Sequence, residues 1–303
     1  MVEEIKIGKS DITSKKFGLG TNKVGGHNLF ENLKDEDGAA LVKTALDNGI
    51  TLLDTAYMYG LGRSEEIIGD VIQDYDRSKI IIATKAAQDP DNNLELNNSP
   101  EFLTKSIDEA LKRLKTNYID IFYIHFPDED TPKDEAVNAL VEAKKAGKIR
   151  AIGISNFSPE QIKEANKNGD VDIVEDNYSL VHRDFEKTVF PYLRENKISF
   201  VPYFPLASGL LTGKYTKNDA NKFKNFSESE FSKIIDSLEK IKPLANKYDA
   251  TLAQLILAWY IANPDVGVVI PGARNSDQVI SNVKAMDLQL SSEDYDFIDQ
   301  LFK

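Results

Sequence analysis

Eight short apolar runs rich in Ile and Val recur along the chain, at residues 16–20, 50–53, 79–83, 119–124, 150–154, 171–174, 198–202 and 266–270. Runs this short and this continuously apolar are the pattern of strands buried on both faces, as in a parallel sheet covered by helices. Most begin ~20 to 40 residues after the one before, the length of a strand, a helix and two loops in a right-handed crossover. Amphipathic stretches fill the intervals and carry helix punctuation. Thr131-Pro132 and Ser158-Pro159 set a capping hydroxyl before a proline in the first turn. Gly147 after Ala143-Lys144-Lys145-Ala146, and Gly49 after Leu46-Asp47-Asn48, read as left-handed residues that close helices. Eight such units predict an α/β fold in which the sheet closes into a (β/α)8, or TIM, barrel. One domain over residues 1–303 is expected, with an N-terminal hairpin before the barrel. Helical patterns at 228–248 and 291–303 add C-terminal helices, the second opening on Ser291-Ser292-Glu293-Asp294. The polar stretches 89–99 and 216–227 read as long loops on the barrel rim, where sites are built.

Composition narrows the function. The 303 residues hold 49 acidic and 37 basic side chains, a net charge of −12, and a nucleic-acid partner requires a basic footprint that this balance does not supply. Cysteine is absent, which removes disulfides, thiolate metal sites and a cysteine nucleophile. Residues 1–10 mix Glu3, Glu4, Lys6 and Lys9 with single apolar residues and lack a secretory pattern. The longest apolar windows, such as 255–262, fall short of the ~20 residues that cross a bilayer. The expected compartment is the cytoplasm, with no membrane partner; the oligomeric state is not legible.

Polar residues stand where several apolar runs stop: Asp54, Lys85, His125 and Ser155-Asn156. Each alone is only the first polar residue after a strand, but a barrel gathers all such ends on one face. With three histidines and no H-E-x-x-H spacing, no metal site is expected, and no G-x-S-x-G elbow supports a serine hydrolase.

The segment Leu53-Asp54-Thr55-Ala56-Tyr57-Met58-Tyr59-Gly60, continued by Gly62-Arg63-Ser64-Glu65-Glu66-Ile67-Ile68-Gly69, resembles the signature of the aldo-keto reductase family. The likeness runs nearly end to end. Thr84-Lys85, Ile119-Asp120-Ile121 through His125-Phe126-Pro127-Asp128, Gly153-Ile154-Ser155-Asn156-Phe157, Tyr178-Ser179-Leu180, residues 205–214 and Ile270-Pro271-Gly272-Ala273-Arg274 follow in the family's order. The resemblance implies an NADP(H)-dependent reductase of small aldehydes or ketones, with NAD(H) as the second candidate, and a catalytic set of Asp54, Tyr59, Lys85 and His125. Chemistry agrees with those residue types. Hydride addition to a carbonyl leaves an oxygen that needs a proton. A free phenol, with a pKa of about 10, supplies one near neutrality only if a cation stabilises the phenolate. Tyr59 is the expected acid, Lys85 that cation, Asp54 its anchor and His125 a second donor to the carbonyl oxygen.

For the cofactor, the resemblance implies Ser155, Asn156 and Glu175 at the nicotinamide carboxamide and Tyr203 stacked on the ring. It implies backbone contacts from Leu206, Ser208 and Leu210 to the pyrophosphate, in a loop where Gly209 allows close approach, with Gly20, Thr21, Asp54, Phe204, Pro205 and Lys214 also at the cofactor. Gly272, Arg274, Gln278 and Asn282 fall at the adenosine end, where Arg274 suits a 2′-phosphate. Asn22, Val24, Met58, Tyr59, His125 and Phe126 are the expected substrate-pocket residues. Three positions depart from the commonest pattern: Glu175 stands where many members carry glutamine, and Asn22 and Phe126 stand where many carry other pocket aromatics. A carboxylate at 175 favours the cationic, oxidised ring, so Glu175→Gln is expected to shift the NADP+ to NADPH affinity ratio toward NADPH; equal ratios would contradict this. A nicotinamide-binding regulatory subunit with little turnover, like the related potassium-channel β subunits, is the alternative. A barrel isomerase of sugar phosphates would need a phosphate cradle and a carboxylate base in place of the Asp54, Tyr59, Lys85 and His125 set.

Overall fold

A computed structural model describes residues 4–303, and all structural statements below concern them. The chain opens on an antiparallel hairpin, β1 (Glu4–Lys6) with β2 (Thr13–Lys15), as expected. The barrel strands follow: β3 (Gly18–Gly20), β4 (Leu52–Asp54) and β5 (Ile81–Ala86), then, beyond a small hairpin of β6 (Gln88–Asp89) and β7 (Glu95–Leu96), β8 (Ile119–Ile124), β9 (Ile149–Ser155), β10 (Ile173–Asn177) and β11 (Ser199–Tyr203). These seven pair in parallel in the order β3-β4-β5-β8-β9-β10-β11. Residues 266–272 close the ring between β11 and β3. Gly267 N donates to Phe200 O at 2.7 Å, Gly18 N to Val269 O at 2.9 Å and Gly20 N to Pro271 O at 3.2 Å. The eight expected runs therefore form one (β/α)8 barrel.

Alternation along each strand divides the core in two. Leu52, Ile81, Ala83, Ile121, Tyr123, Ala151, Ile173, Val201, Val268 and Ile270 fill the cylinder, and Ile7 and Ile12 of the hairpin connection pack beneath them. Leu53, Ile82, Phe122, Ile152, Ile154, Val174 and Phe200 point outward into the helical shell. That shell includes the expected C-terminal helices Glu228–Lys247 and Ser292–Leu301 and a nearly all-buried helix, Leu252–Ala262.

Local punctuation explains most helix ends. Ser158 caps Pro159–Ala165 by accepting from Gln161 N at 3.2 Å, and the Gln161 side chain returns a bond to Ser158 N at 2.9 Å. Gly147 (φ 74°) and Gly49 (φ 80°) are left-handed, as expected. Thr131 corrects its assignment. Its hydroxyl donates to Asp128 Oδ2 at 2.7 Å, because a carboxylate outcompetes neutral backbone partners, and helix Lys133–Lys145 begins after Pro132 with no side-chain cap. The rim stretch 89–99 folds through β6 and β7 and is tied to the next loop by Asn98 and Asp128, which exchange bonds of 2.7 and 2.8 Å. No helix of the described residues is long and apolar enough to cross a membrane.

Candidate active site

Asp54, Lys85 and Ser155 lie in the last residues of β4, β5 and β9, and His125 follows β8, so four strand ends bring them to the carboxyl-terminal mouth. Lys85 is buried; its Nζ donates to Asp54 Oδ1 at 2.5 Å and to Thr55 O at 3.0 Å. Tyr123 makes the floor beneath it, with its ring centre 5.4 Å from the ammonium. That ring requires Gly153, since a Cβ there would stand 2.2 Å from the Tyr123 ring.

Tyr59 reaches the same end on the tight turn after β4. Its N–H donates to Ala56 O at 3.0 Å, and the turn continues through Gly60 at φ 72°, where a Cβ would lie 1.9 Å from Gly25 O. Only glycine fits that crossing. The ring centre of Tyr59 is 5.7 Å from Lys85 Nζ and 6.4 Å from the His125 ring, which it meets edge-on. Its hydroxyl bonds to no described residue, and His125 Nδ1 is buried without a partner.

The electrostatics differ from expectation in one respect. Burial holds the Tyr59 phenol above its usual range; Lys85 pulls it down, while Asp54 and Glu175 push it up again. Burial also disfavours the Lys85 charge, but the two carboxyls outweigh burial and hold the ammonium above its ordinary range. Burial, followed by Lys85, keeps His125 neutral, well below its usual value. Lys85 acts on Tyr59 in the expected direction, and in the free protein desolvation wins.

Glu175 is the largest surprise. The carboxyl expected at the cofactor is buried inside the barrel, its Oε2 3.3 Å from Lys85 Nζ and in contact with Asp54. Its neighbour Asp176, pushed by burial up to about 6, receives the Asn177 N–H at 2.7 Å.

The remaining expected residues divide. Asn156, at φ 62°, ties three strand ends together: its Nδ2 donates to His125 O and Ser155 Oγ, both at 3.0 Å, and its Oδ1 accepts from Tyr203 at 2.8 Å. Beyond Tyr203, the exposed Phe204, then Ala207, Ser208 and Gly209, all have positive φ, a bent loop pinned where Tyr260 donates to Pro205 O at 2.8 Å. Successive backbone N–H groups in such a bend form a concavity suited to an anion. Leu206 is half-buried and Lys214 exposed, its ammonium 4.8 Å over the Tyr215 ring. Gly20 pairs with the exposed Gly272, and Asn22 is half-buried beside them. Arg274 is exposed; Gln278 accepts from Arg274 N at 2.8 Å, with Asn282 one turn further along Ser276–Val283. Met58 is half-buried, and Phe126 lies 4.7 Å from the His125 ring.

One assignment is corrected, and two others are buried by their side chains. Val24 is 1% exposed and packs into the outer core against Gly38, so it does not line the mouth. Thr21 is wholly buried and donates its hydroxyl to Asp54 O at 2.8 Å, which braces the strand. Leu210 buries its side chain in the core, which leaves only its backbone for the expected pyrophosphate contact. The sequence reading missed Thr55, which acts through its carbonyl, and Lys23, a half-buried cation close enough to Arg274 to be disfavoured by it after burial. Its place directly after Asn22 was the available signal.

A family model described as Aldo/keto reductase family matches residues 16–303. The chain is 33% identical to aldo-keto reductase YhdN of Bacillus subtilis, over 100% of this chain and 94% of that protein. It is 35% identical to the NADH-specific methylglyoxal reductase of Escherichia coli, over 97% and 96%. Among solved structures it is similar to the glycerol dehydrogenase of Gluconobacter oxydans, with TM-score 0.88 and 30% identity over 99% of this chain and 95% of that one. With the profile, the end-to-end relatives and the barrel in agreement, the chain belongs to the aldo/keto reductase family, a family of oxidoreductases.

Proposed function

We propose that the protein reduces the carbonyl of small aldehydes or ketones with NADPH, with Tyr59 as the general acid. The observation that carries this reading is the convergence of Tyr59, the Asp54–Lys85 pair and neutral His125 at one barrel mouth. The Tyr59 hydroxyl, which bonds to no described residue, and the orphaned His125 Nδ1 fit a site built for a partner outside the chain.

The positive-φ loop from Phe204 to Gly209 fits the pyrophosphate of a dinucleotide, and Ser155, Asn156 and Tyr203 fit its nicotinamide end. Lys23 and Arg274 set two cations close together, which suits the additional phosphate of NADP(H). The NADH-specific relative makes NAD(H) the competing assignment. When bound, the reduced cofactor supplies hydride. Tyr59 gives its hydroxyl proton to the carbonyl oxygen as that oxygen gains charge, so that hydride and proton together make the alcohol. Lys85 stabilises the phenolate left behind, and Asp54 holds the ammonium in place. His125, neutral, aligns the carbonyl oxygen through one N–H.

The test follows NADPH and NADH consumption over a panel of aldehydes and ketones for wild type and Tyr59→Phe. The reading expects turnover by wild type and a loss of about 10² to 10⁴-fold in the variant. Full turnover by Tyr59→Phe would remove Tyr59 as the acid, and wild-type binding without turnover on any substrate would favour a regulatory nicotinamide-binding protein.

A further inference from the structure

Two carboxyls and one ammonium meet at the centre of the mouth. Asp54, Lys85 and Glu175 are each at most 2% exposed. The titratable groups acting on Glu175 from the packed elements are Asp54 of β4 and Lys85 of β5; Tyr59, Tyr123 of β8 and Tyr203 of β11 feel its charge in turn. Lys85 is the only cation in that set. Two ionised carboxylates would leave an uncompensated buried negative charge, and like charges in contact do not both ionise; one keeps a proton.

Geometry decides which one keeps it. Asp54 Oδ1 takes the short 2.5 Å bond from Lys85, the mark of an ionised acceptor. Glu175 Oε2 stands at the longer distance of 3.3 Å from the same nitrogen, an ion-pair contact, and, although buried, receives no hydrogen bond. A buried carboxylate oxygen without a donor is costly, whereas an un-ionised carbonyl oxygen tolerates it far better.

We infer that Glu175 is a positioning residue held as a neutral carboxylic acid, its proton shared with the Asp54 carboxylate, so that the pair presents a single negative charge to Lys85. Burial, reinforced by Asp54 and opposed by Lys85, pushes Glu175 well above the carboxylate range, in agreement. For the reduction proposed above, on which this functional consequence rests, the neutral acid leaves the Lys85 field less offset for the Tyr59 phenolate. Ionisation of Glu175 at alkaline pH adds a second negative charge beside Lys85 and beside the nicotinamide end. The preference for oxidised cofactor expected of a charged Glu175 is then absent at neutral pH and develops as pH rises.

The deciding experiment is infrared spectroscopy of the apoprotein at neutral pH, which needs neither cofactor nor turnover. Wild type is expected to show the carbonyl stretch of a protonated carboxylic acid, shifted by carboxyl-¹³C glutamate, lost in Glu175→Gln and kept in Glu65→Gln, whose parent carboxyl is paired with Arg113 at 2.6 Å. The labelled wild type and Glu65→Gln carry the assignment if Glu175→Gln does not fold. Absence of the band in wild type, or its survival in Glu175→Gln, overturns the inference. As a second readout, the NADP+ to NADPH affinity ratio of wild type should rise about tenfold from neutral to alkaline pH, the size of one unit charge at moderate range, and stay flat in Glu175→Gln. A rise of the same size in both proteins would overturn the link to Glu175. Failure of both proteins to turn over substrate would count against the reductase reading and leave the infrared result standing.

Discussion

Lys85 carries the charge balance of the mouth, and removing it exposes how much. Lys85→Met leaves Asp54 and Glu175 buried with no cation, and breaking a buried pair on one side costs about 3 to 5 kcal/mol. Both carboxyls are already disfavoured by burial, so without Lys85 their folded values stand above the unfolded ones. That sign means the fold is best supported at low pH and loses the contribution as pH rises through the folded values. Denaturant melts should show Lys85→Met closest to wild type near pH 4 and furthest at pH 8; a pH-independent gap would contradict this. At the other end of the cleft, Arg274→Ala should raise KM for NADPH about tenfold, the scale of one lost charge-assisted bond, with KM for NADH unchanged. Equal effects on both cofactors would remove the 2′-phosphate role. Asp54, Lys85 and His125 were legible because a barrel turns sequence position at a strand end into a place in space. The location of Glu175 was not, since sequence shows that it alternates inward but not which of two inward partners its carboxyl meets. Val24 was misread for the same reason: its loop reaches the rim while its side chain packs into the core.

At the scale of elements, the floor depends on a strand fitting beneath a ring. Gly153→Ala would put a methyl 2.2 Å from Tyr123, inside β9 where the backbone has little room to yield. Overpacking of this kind costs about 1 to 3 kcal/mol, and displacement of Tyr123 shifts Lys85 above it. The variant should melt lower and lose activity beyond what its folded fraction explains; unchanged melting would show that the ring moves freely. The strand count was readable because eight short apolar runs at crossover spacing have one economical arrangement, but the boundaries shifted: Asp54, Lys85 and Ser155 sit inside strands that were expected to stop before them. A polar residue in a strand is permitted wherever an inward partner satisfies it, and the apolar pattern alone does not show that partner. Thr131 failed as a cap through a similar competition, lost to a carboxylate three residues away.

For the whole molecule, the closed cylinder does the organising. Its eighth segment joins the ring through a few bridges near Val269 and Gly272 instead of a full ladder, yet it completes the wall on which Gly20, Gly272 and Arg274 follow one another. The hairpin side is filled by Ile7 and Ile12, and the polar cluster lies at the opposite end, the mouth where β4, β5, β8 and β9 end. The direct measurement is a crystal structure of the protein grown with oxidised NADP+. The account predicts the nicotinamide ring between Tyr203 and the Tyr59–His125 pair, its carboxamide on Ser155 and Asn156, and the phosphates along residues 204–210. A dinucleotide bound anywhere else, or at the mouth with its nicotinamide turned away from Tyr59, would contradict it.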